Sequence, residues 1–432
     1  MTSLILALLA ALPLAAAPSL VEGPSTLVYP AYWHTPMGLH RGTEKLLHAL
    51  LGPQARFADP RGLACAHLAE QDGDDDQLCV LGVNSGAAQL VFNPDSASLA
   101  SFGSPGAGEG QFQSPCGVAM LADGRVAVAD TGNQRVALLR LARGRLSWRG
   151  SLGPFKGPTW VAYGASGKLW VSEPAADRIL CLSPSGRPLM AISQGLTQPQ
   201  ALAVRERGDS SFAPGPGACY VVDQYHSRLS RYSLEDGRLQ ARVSIQDCGF
   251  PLAYLEGLAL DYNGNLYATD RANACIHKFD PDLGYLDSWG SPGQSDGHLD
   301  QPRGIALYRP YGQLLVLERA SAQYLWLGVD IKGLRLARQS LPQGTGFMRA
   351  DFRLTERASM EAWLEDSQGK PVKQLAAGLV LPAGANALTW DGTLSSGLRA
   401  PPGRYALVLK AQALYSSRGA FAKQARKPFL LR

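Results

Sequence analysis

Apolar residues along the chain come in short runs of four to eight, separated by clusters of Gly, Pro, Asp, Asn and Ser, which is the pattern of β-strands and tight turns. Six of these stretches share one register: VNSGAAQL from Val83, VADTGNQRV from Val128, VSEPAADRI from Val171, VVDQYHSRL from Val221, ATDRANACI from Ala268 and VLERASAQY from Val316. In each, a β-rich run stops at an acid or amide: Asn84, Asp130, Glu173, Asp223, Asp270 and Glu318. Six residues later the next run opens, at Leu90, Val136, Ile179, Leu229, Ile276 and Tyr324. Upstream of each copy lies another apolar run, mostly introduced by Pro and Gly, as in DPRGLACAHL from Asp59, SPCGVAML from Ser114 and QPRGIALY from Gln301. Two-residue turns at Asp123, Ser166 and Asn263, each followed by Gly, join several of these runs as hairpins.

Units of about forty to fifty-five residues, each a small antiparallel sheet unable to bury both faces alone, stack around an axis as propeller blades. The expected fold class is all-β, a six-bladed β-propeller followed by a small β-sandwich. The last unit lacks an outer strand after LWLGV, and TEKLLHALLG, Thr43 to Gly52, reads as the strand that closes the ring. IKGLRLARQ, from Ile331, is the competing closure.

Gly103 to Leu139, GSPGAGEGQFQSPCGVAMLADGRVAVADTGNQRVALL, resembles an NHL repeat, and Trp289 to Leu307 resembles the first half of one. The resemblance implies a propeller over residues 44–330. Trp160 replaces the usual Gly of that pattern, and Gln89, Cys275 and Gln323 stand where Arg is expected.

Beyond residue 345 the alternation in ASMEAWLED and RYALVLKA marks half-buried strands of a small sandwich. This stretch is similar to the immunoglobulin-like module of the flagellar hook-capping protein, through Leu354 to Glu356, Asp366 to Lys370, Trp390-Asp391-Gly392, Gly397 and Pro402 to Tyr405. That resemblance implies a spacer or docking unit without chemistry. The expected boundaries are a signal peptide over 1–17, an amino-terminal segment over 18–43, the propeller over 44–330, a linker over 331–345 and the sandwich with its basic tail over 346–432.

The first seventeen residues, MTSLILALLAALPLAAA, are apolar, end in small residues and are too short to span a bilayer, so export is expected, to the periplasm, the medium or the cell surface. No later stretch has the length of a transmembrane segment. An exported chain can oxidise its seven cysteines, and Cys65 with Cys79, on neighbouring strands of one hairpin, is the expected disulfide. A net charge of +5 over 432 residues does not point to nucleic acid.

A ring of carboxylates invites a cation, yet Arg follows the acid by five residues in three copies: Asp130 with Arg135, Glu173 with Arg178 and Asp223 with Arg228. An acid that caps the turn and pairs with Arg is a structural device, repeated once per blade. Departures from the repeat therefore carry the functional signal. These turns and the loops leading into each blade share one face, which should carry Cys116, His226, Cys248, Cys275 and His298. A zinc centre from some of them is conceivable, with a disulfide or plain burial the simpler reading. In the first blade's hairpin, QDGDDDQ spaces Asp72, Asp74 and Asp76 as calcium loops do, but lacks the closing Glu.

The expected function is an exported, non-enzymatic binding or scaffold protein of a bacterial cell envelope, holding a protein or other envelope partner on a propeller face that includes Trp160, Tyr225, His226 and His298. No cofactor is required, although calcium or zinc fits the composition. The alternative is a metal-dependent propeller enzyme, either a peptidyl-hydroxyglycine lyase using histidines or a lactonase using Asn84, Glu173 and Asp223 at the channel.

Overall fold

The computed structural model describes residues 26–30, 39–69, 78–94, 98–340, 346–416 and 421–431. The expected signal peptide and the QDGDDDQ turn lie outside them. Leu27–Leu327 form one compact unit, and residues from Gly328 onward belong to a second. Among the described residues no helix is long and apolar enough to cross a membrane.

Six antiparallel sheets follow one another along the first unit. The second is typical, with strands Pro115–Met120, Arg125–Asp130, Arg135–Ala142 and Arg145–Leu152. The innermost strands begin at Pro60, Pro115, Trp160, Leu202, Leu255 and Ile305, and each contacts the next, the last returning to the first, so the sheets close into a ring of blades. Small residues make this approach possible. A Cβ on Gly304 would lie 2.5 Å from the Arg61 carbonyl oxygen, and one on Gly257 2.5 Å from that of Arg303. Between the blades lie buried Leu, Val, Ile and Phe side chains, among them Leu81, Leu90, Phe112, Val126, Val128 and Val136. Each contributes roughly 1.5–3 kcal/mol relative to exposure.

The last blade owns three strands, Ile305–Tyr308, Gln313–Leu317 and Ser321–Leu327. Its outer strand comes from the amino-terminal segment in two pieces: Leu27–Val28 pairs with Trp326 and Leu327, and Arg41–Thr43 with Ser321 to Gln323. Closure thus uses the amino-terminal side but, beyond Thr43, not TEKLLHALLG, whose Glu44–Leu51 forms a helix. The helical stretch contains no β-branched residue, has four leucines with Ala, Glu and Lys, and ends at Gly52 with φ +97°.

In the second unit, Ile331–Ser340 pairs with Gly346–Leu354, so residues 331–340 are a sandwich strand and neither the expected linker nor a propeller edge. Its alternation of Ile331, Leu334 and Leu336 with charged residues suits a half-buried strand. Two sheets, one of three strands and one of four, enclose a core of Met348, Phe352, Met360, Leu364, Trp390, Leu407 and Leu409. Trp390 is buried and donates its Nε1 hydrogen to the Thr393 carbonyl at 2.7 Å.

Candidate channel-mouth site

The turn between the second and third strands of each blade packs on the loop leading into that blade. Backbone hydrogen bonds join them in the first, second, fourth, fifth and sixth blades, from Gly86 to Ala58, Gly132 to Gln113, Gln224 to Thr197, Arg271 to Tyr254 and Arg319 to Asp300. The acid at each turn is fully buried. Asp130 accepts from Arg135 Nε at 2.8 Å and from the Gln113 amide at 2.7 Å; Glu173 accepts from Arg178 Nε at 2.6 Å and from the Lys156 amide at 2.7 Å. Asp223 meets Arg228 through both oxygens, at 2.7 and 2.8 Å. Asp130 and Glu173 thus tie their loops to the blade directly, and Asp223 does so through Arg228, which also donates to the Gly195 carbonyl at 2.9 Å.

Three blades replace the arginine. At Asn84 the neutral amide bridges the Ala58 amide and the Arg56 carbonyl, at 2.7 and 2.8 Å. At Asp270, where Cys275 stands in place of Arg, His277 two residues on presents Nε2 at 3.1 Å. At Glu318 the guanidinium of Arg41 arrives from the closing strand at 3.1 Å, and Gln323 Nε2 also donates. Sequence reasoning counted His277 among the propeller histidines but gave it no place beside Asp270, and it did not single out Arg41. His277 shares a strand face with position 275 by period two, which is a usable signal; the Arg41 contact spans 277 residues and left none.

The mouth of the central channel is where chemistry gathers. Asp59, Arg61, Glu256 and Arg303 stand at the starts of innermost strands from different blades, and Arg271 follows the fifth blade's turn. Arg61 is 2.9 Å from Asp59, Arg271 is 2.9 Å from Glu256, and Arg303 bonds Asp59 and lies 4.0 Å from Glu256. Three guanidiniums thus face two carboxylates, an excess of positive charge at a partly buried mouth. Glu256 Oε1 and Arg303 Nε are buried there without an aligned hydrogen bond among the described residues. Burial pushes the Glu256 carboxyl above its usual range, although Arg271, Arg303 and Arg61 pull it down. For Asp59 burial also acts upward, but the Arg303 hydrogen bond and the charge of Arg61 outweigh it, and its carboxyl sits below the ordinary value.

His226 joins this mouth. Its ring stacks on Tyr254 with centroids 4.1 Å apart, its Nδ1 lies 2.5 Å from the Leu255 carbonyl, and Arg271 covers the Tyr254 ring at 4.1 Å. Burial lowers its pKa, and Arg271 and Arg61 push the same way, against the hydrogen bond with the Leu255 carbonyl. The turn that presents it is strained: Gln224, Tyr225 and His226 have φ of +48°, +54° and +67°, three successive left-handed residues where the first three blades make a 3-10 turn. Tyr225 at its tip is 64% exposed, and Leu252, in the loop leading into the next blade, is 80% exposed.

The other expected site residues divide. Trp160 occupies the position that is Gly62, Gly117, Ala201, Gly257 and Gly304 elsewhere, and it lines a channel cavity of about 140 Å³ bounded by all six innermost strands. Cys116 stands at the mouth beside Arg61, its thiol pushed up by burial. His298 lies at the closing seam, its Nδ1 3.0 Å from Ser295 Oγ, away from His226. Asn84, Glu173 and Asp223 do not line the channel cavity. Cys65 and Cys79 are free thiols: Cys65 lies opposite Val80 and Cys79 opposite Ala66, so their side chains leave opposite faces of the sheet. Cys248 and Cys275 are also free.

The fold and its ring of turns define an all-β propeller protein with an appended sandwich. Residues 112–137 match the NHL repeat and residues 339–414 the FlgD Ig-like domain, so the chain is an NHL β-propeller with a carboxyl-terminal Ig-like module. No curated protein matches it. Among solved structures it is similar to virginiamycin B lyase from Staphylococcus aureus, at 13% identity, 60% of this chain, 78% of the other and a TM-score of 0.43. A gluconolactonase from Xanthomonas campestris gives 16%, 72%, 98% and 0.45. The Swd1 β-propeller domain from Myceliophteria thermophila gives 11%, 57%, 79% and 0.40.

Proposed function

We propose that this protein is an exported, non-enzymatic binding module of a cell envelope, whose channel mouth captures an acidic group of a protein partner. The observation that carries this reading is the excess guanidinium charge of Arg61, Arg271 and Arg303 around a half-buried opening. A carboxylate entering there gains charge-assisted hydrogen bonds in a low-dielectric surround. Exposed Tyr225 and Leu252 beside the mouth supply apolar contact area, the residue chemistry that anchors interfaces. The strain in the turn of Tyr225 and His226 supports the same reading, since a fold does not hold three left-handed non-glycine residues for stability.

A metal-dependent enzyme of the channel is disfavoured by the same charge, because three guanidiniums repel a cation. The Ig-like module, of a type suited to spacing or docking, fits an envelope location, as does the amino-terminal apolar segment.

The test uses the immobilised full chain and an envelope extract. An envelope protein should be retained by the wild type, released by salt, and lost from Arg61→Ala/Arg271→Ala and from Tyr225→Ala. Retention unchanged by all three substitutions overturns the mouth as the site, and turnover of a lactone by the metal-loaded protein overturns the non-enzymatic reading.

A further inference from the structure

The geometry points to a buried site for a thiophilic divalent cation, zinc by chemistry, inside the fifth blade, held by Asp270, Cys275 and His277. Among the described residues this is the one group of three His, Cys, Asp or Glu side chains whose ligand atoms all lie within 4.8 Å of one another. It lies within the blade, at the turn where other blades place an acid and a guanidinium, and shares no ligand with the channel-mouth cluster.

The distances suit an ion. Zinc bonds sulfur at about 2.3 Å and nitrogen or oxygen at about 2.0–2.2 Å, so a tetrahedral site sets N and O about 3.3 Å apart and S and N about 3.6 Å apart. His277 Nε2 is 3.1 Å from Asp270 Oδ2 and 3.7 Å from Cys275 Sγ. The remaining oxygen of Asp270 is held by the Tyr254 and Ala272 amides, both at 3.0 Å, and Oδ2, which accepts from Asn273 Nδ2 at 2.6 Å, is thereby fixed toward the imidazole with its other lone pair. On the far side of the ring, Nδ1 lies 2.7 Å from Ser288 Oγ, itself 2.7 Å from Tyr285 Oη. That serine holds the second nitrogen as outer partners of zinc-bound histidines do.

Charge gives the second argument. Asp270 is fully buried, and a buried carboxylate requires a positive partner. Asp130, Glu173, Asp223 and Glu318 have arginine, a permanent cation; at Asp270 the arginine position is Cys275, and the partner is the His277 imidazole, positive only when protonated. A divalent ion with one carboxylate, one thiolate and one neutral imidazole is electrically neutral. Binding expels the thiol proton to solvent and leaves the imidazole proton on Nδ1 facing Ser288. Three protein ligands leave the fourth position to a water.

The test is metal analysis of the full chain purified without affinity tags or chelators, then loaded with zinc or cobalt(II) and dialysed. The expected result is one equivalent of zinc per chain and a thiolate-to-cobalt charge-transfer band. Both should disappear in Cys275→Ser, a near-isosteric change, and persist in Cys116→Ser. Ser288→Ala should weaken zinc binding by about 10–100-fold while leaving the fold intact by circular dichroism. A wild-type chain that retains no zinc after dialysis, or zinc and cobalt signals indifferent to Cys275→Ser, overturns the site.

Discussion

Arg41, on the amino-terminal strand that closes the ring, donates to the buried carboxylate of Glu318 at 3.1 Å. Five residues after Glu318 the chain has Gln323, where three other blades supply their own arginine. The last blade therefore completes its turn only when the amino-terminal segment docks, and one contact couples ring closure to turn chemistry.

Removing that guanidinium should loosen the closure. Arg41→Ala leaves Glu318 with Ser321 and Gln323 as side-chain donors, and should lower stability by roughly 2–3 kcal/mol in urea unfolding. Adding Gln323→Arg to that variant, which restores the pattern of the second, third and fourth blades, should recover most of the loss.

Relaxing the strained turn should have the opposite sign. Tyr225→Gly relieves one left-handed residue of φ +54° and should raise stability by about 1 kcal/mol, the gain being cut by the added freedom of glycine in the unfolded chain. The same variant should lose envelope-partner retention. Stability and binding moving apart would mark this turn as kept for function.

The close packing of the innermost strands makes Gly304 intolerant of a methyl group. Gly304→Ala would put a Cβ 2.5 Å from the Arg61 carbonyl oxygen, backbone that cannot rotate away. A loss of about 1–3 kcal/mol is expected, read as a lower thermal midpoint. Gly52→Ala should cost less, because only its φ of +97°, and no contact, opposes the change.

At the mouth, two carboxyls titrate with opposite consequences. Asp59 is held below the ordinary carboxyl value of 3.8, so its contribution is present above that pH and is lost as pH falls through its folded value. Glu256 is raised above 4.5, so its contribution is present below that pH and is lost as pH rises through its folded value. Urea midpoints of the wild type, followed from pH 3 to 7, should lose the acid-side fall in Asp59→Asn and the higher-pH decline in Glu256→Gln.

Peptide mapping of the unreduced protein should recover Cys65 and Cys79 unlinked. A cross-link between them requires a one-residue slip of the first blade's hairpin, which would flip one of its strands and break the packing of Leu63 or Leu81, each buried on its own face of the sheet.

Much of this architecture was legible along the chain. The repeated run, acid and run marked the six turns from Asn84 to Glu318, because a strand pair exposes its period and its turn chemistry locally. Trp160 and His226 stood out as breaks in that register, and both lie along the channel, one lining its cavity and one at its mouth. TEKLLHALLG misled because its leucines fit a strand or a helix equally, and helix propensity won where only Leu47 needed burial. Cys65 and Cys79 misled because adjacency in a hairpin says nothing of register until the bulge between Pro60 and Leu63 is known.

The amino-acid sequence by itself determined that the chain makes blades and a sandwich, where their turns fall, and which acids carry arginine partners five residues away. Only the tertiary structure decided that Arg41 serves Glu318, that His277 replaces an arginine at Asp270, and that Arg61, Glu256, Arg271 and Arg303 converge on one mouth. Turn chemistry is set by neighbours in sequence. A propeller's centre, by contrast, is assembled from the same strand position of every blade, so residues dozens or hundreds of positions apart meet only once the ring has closed.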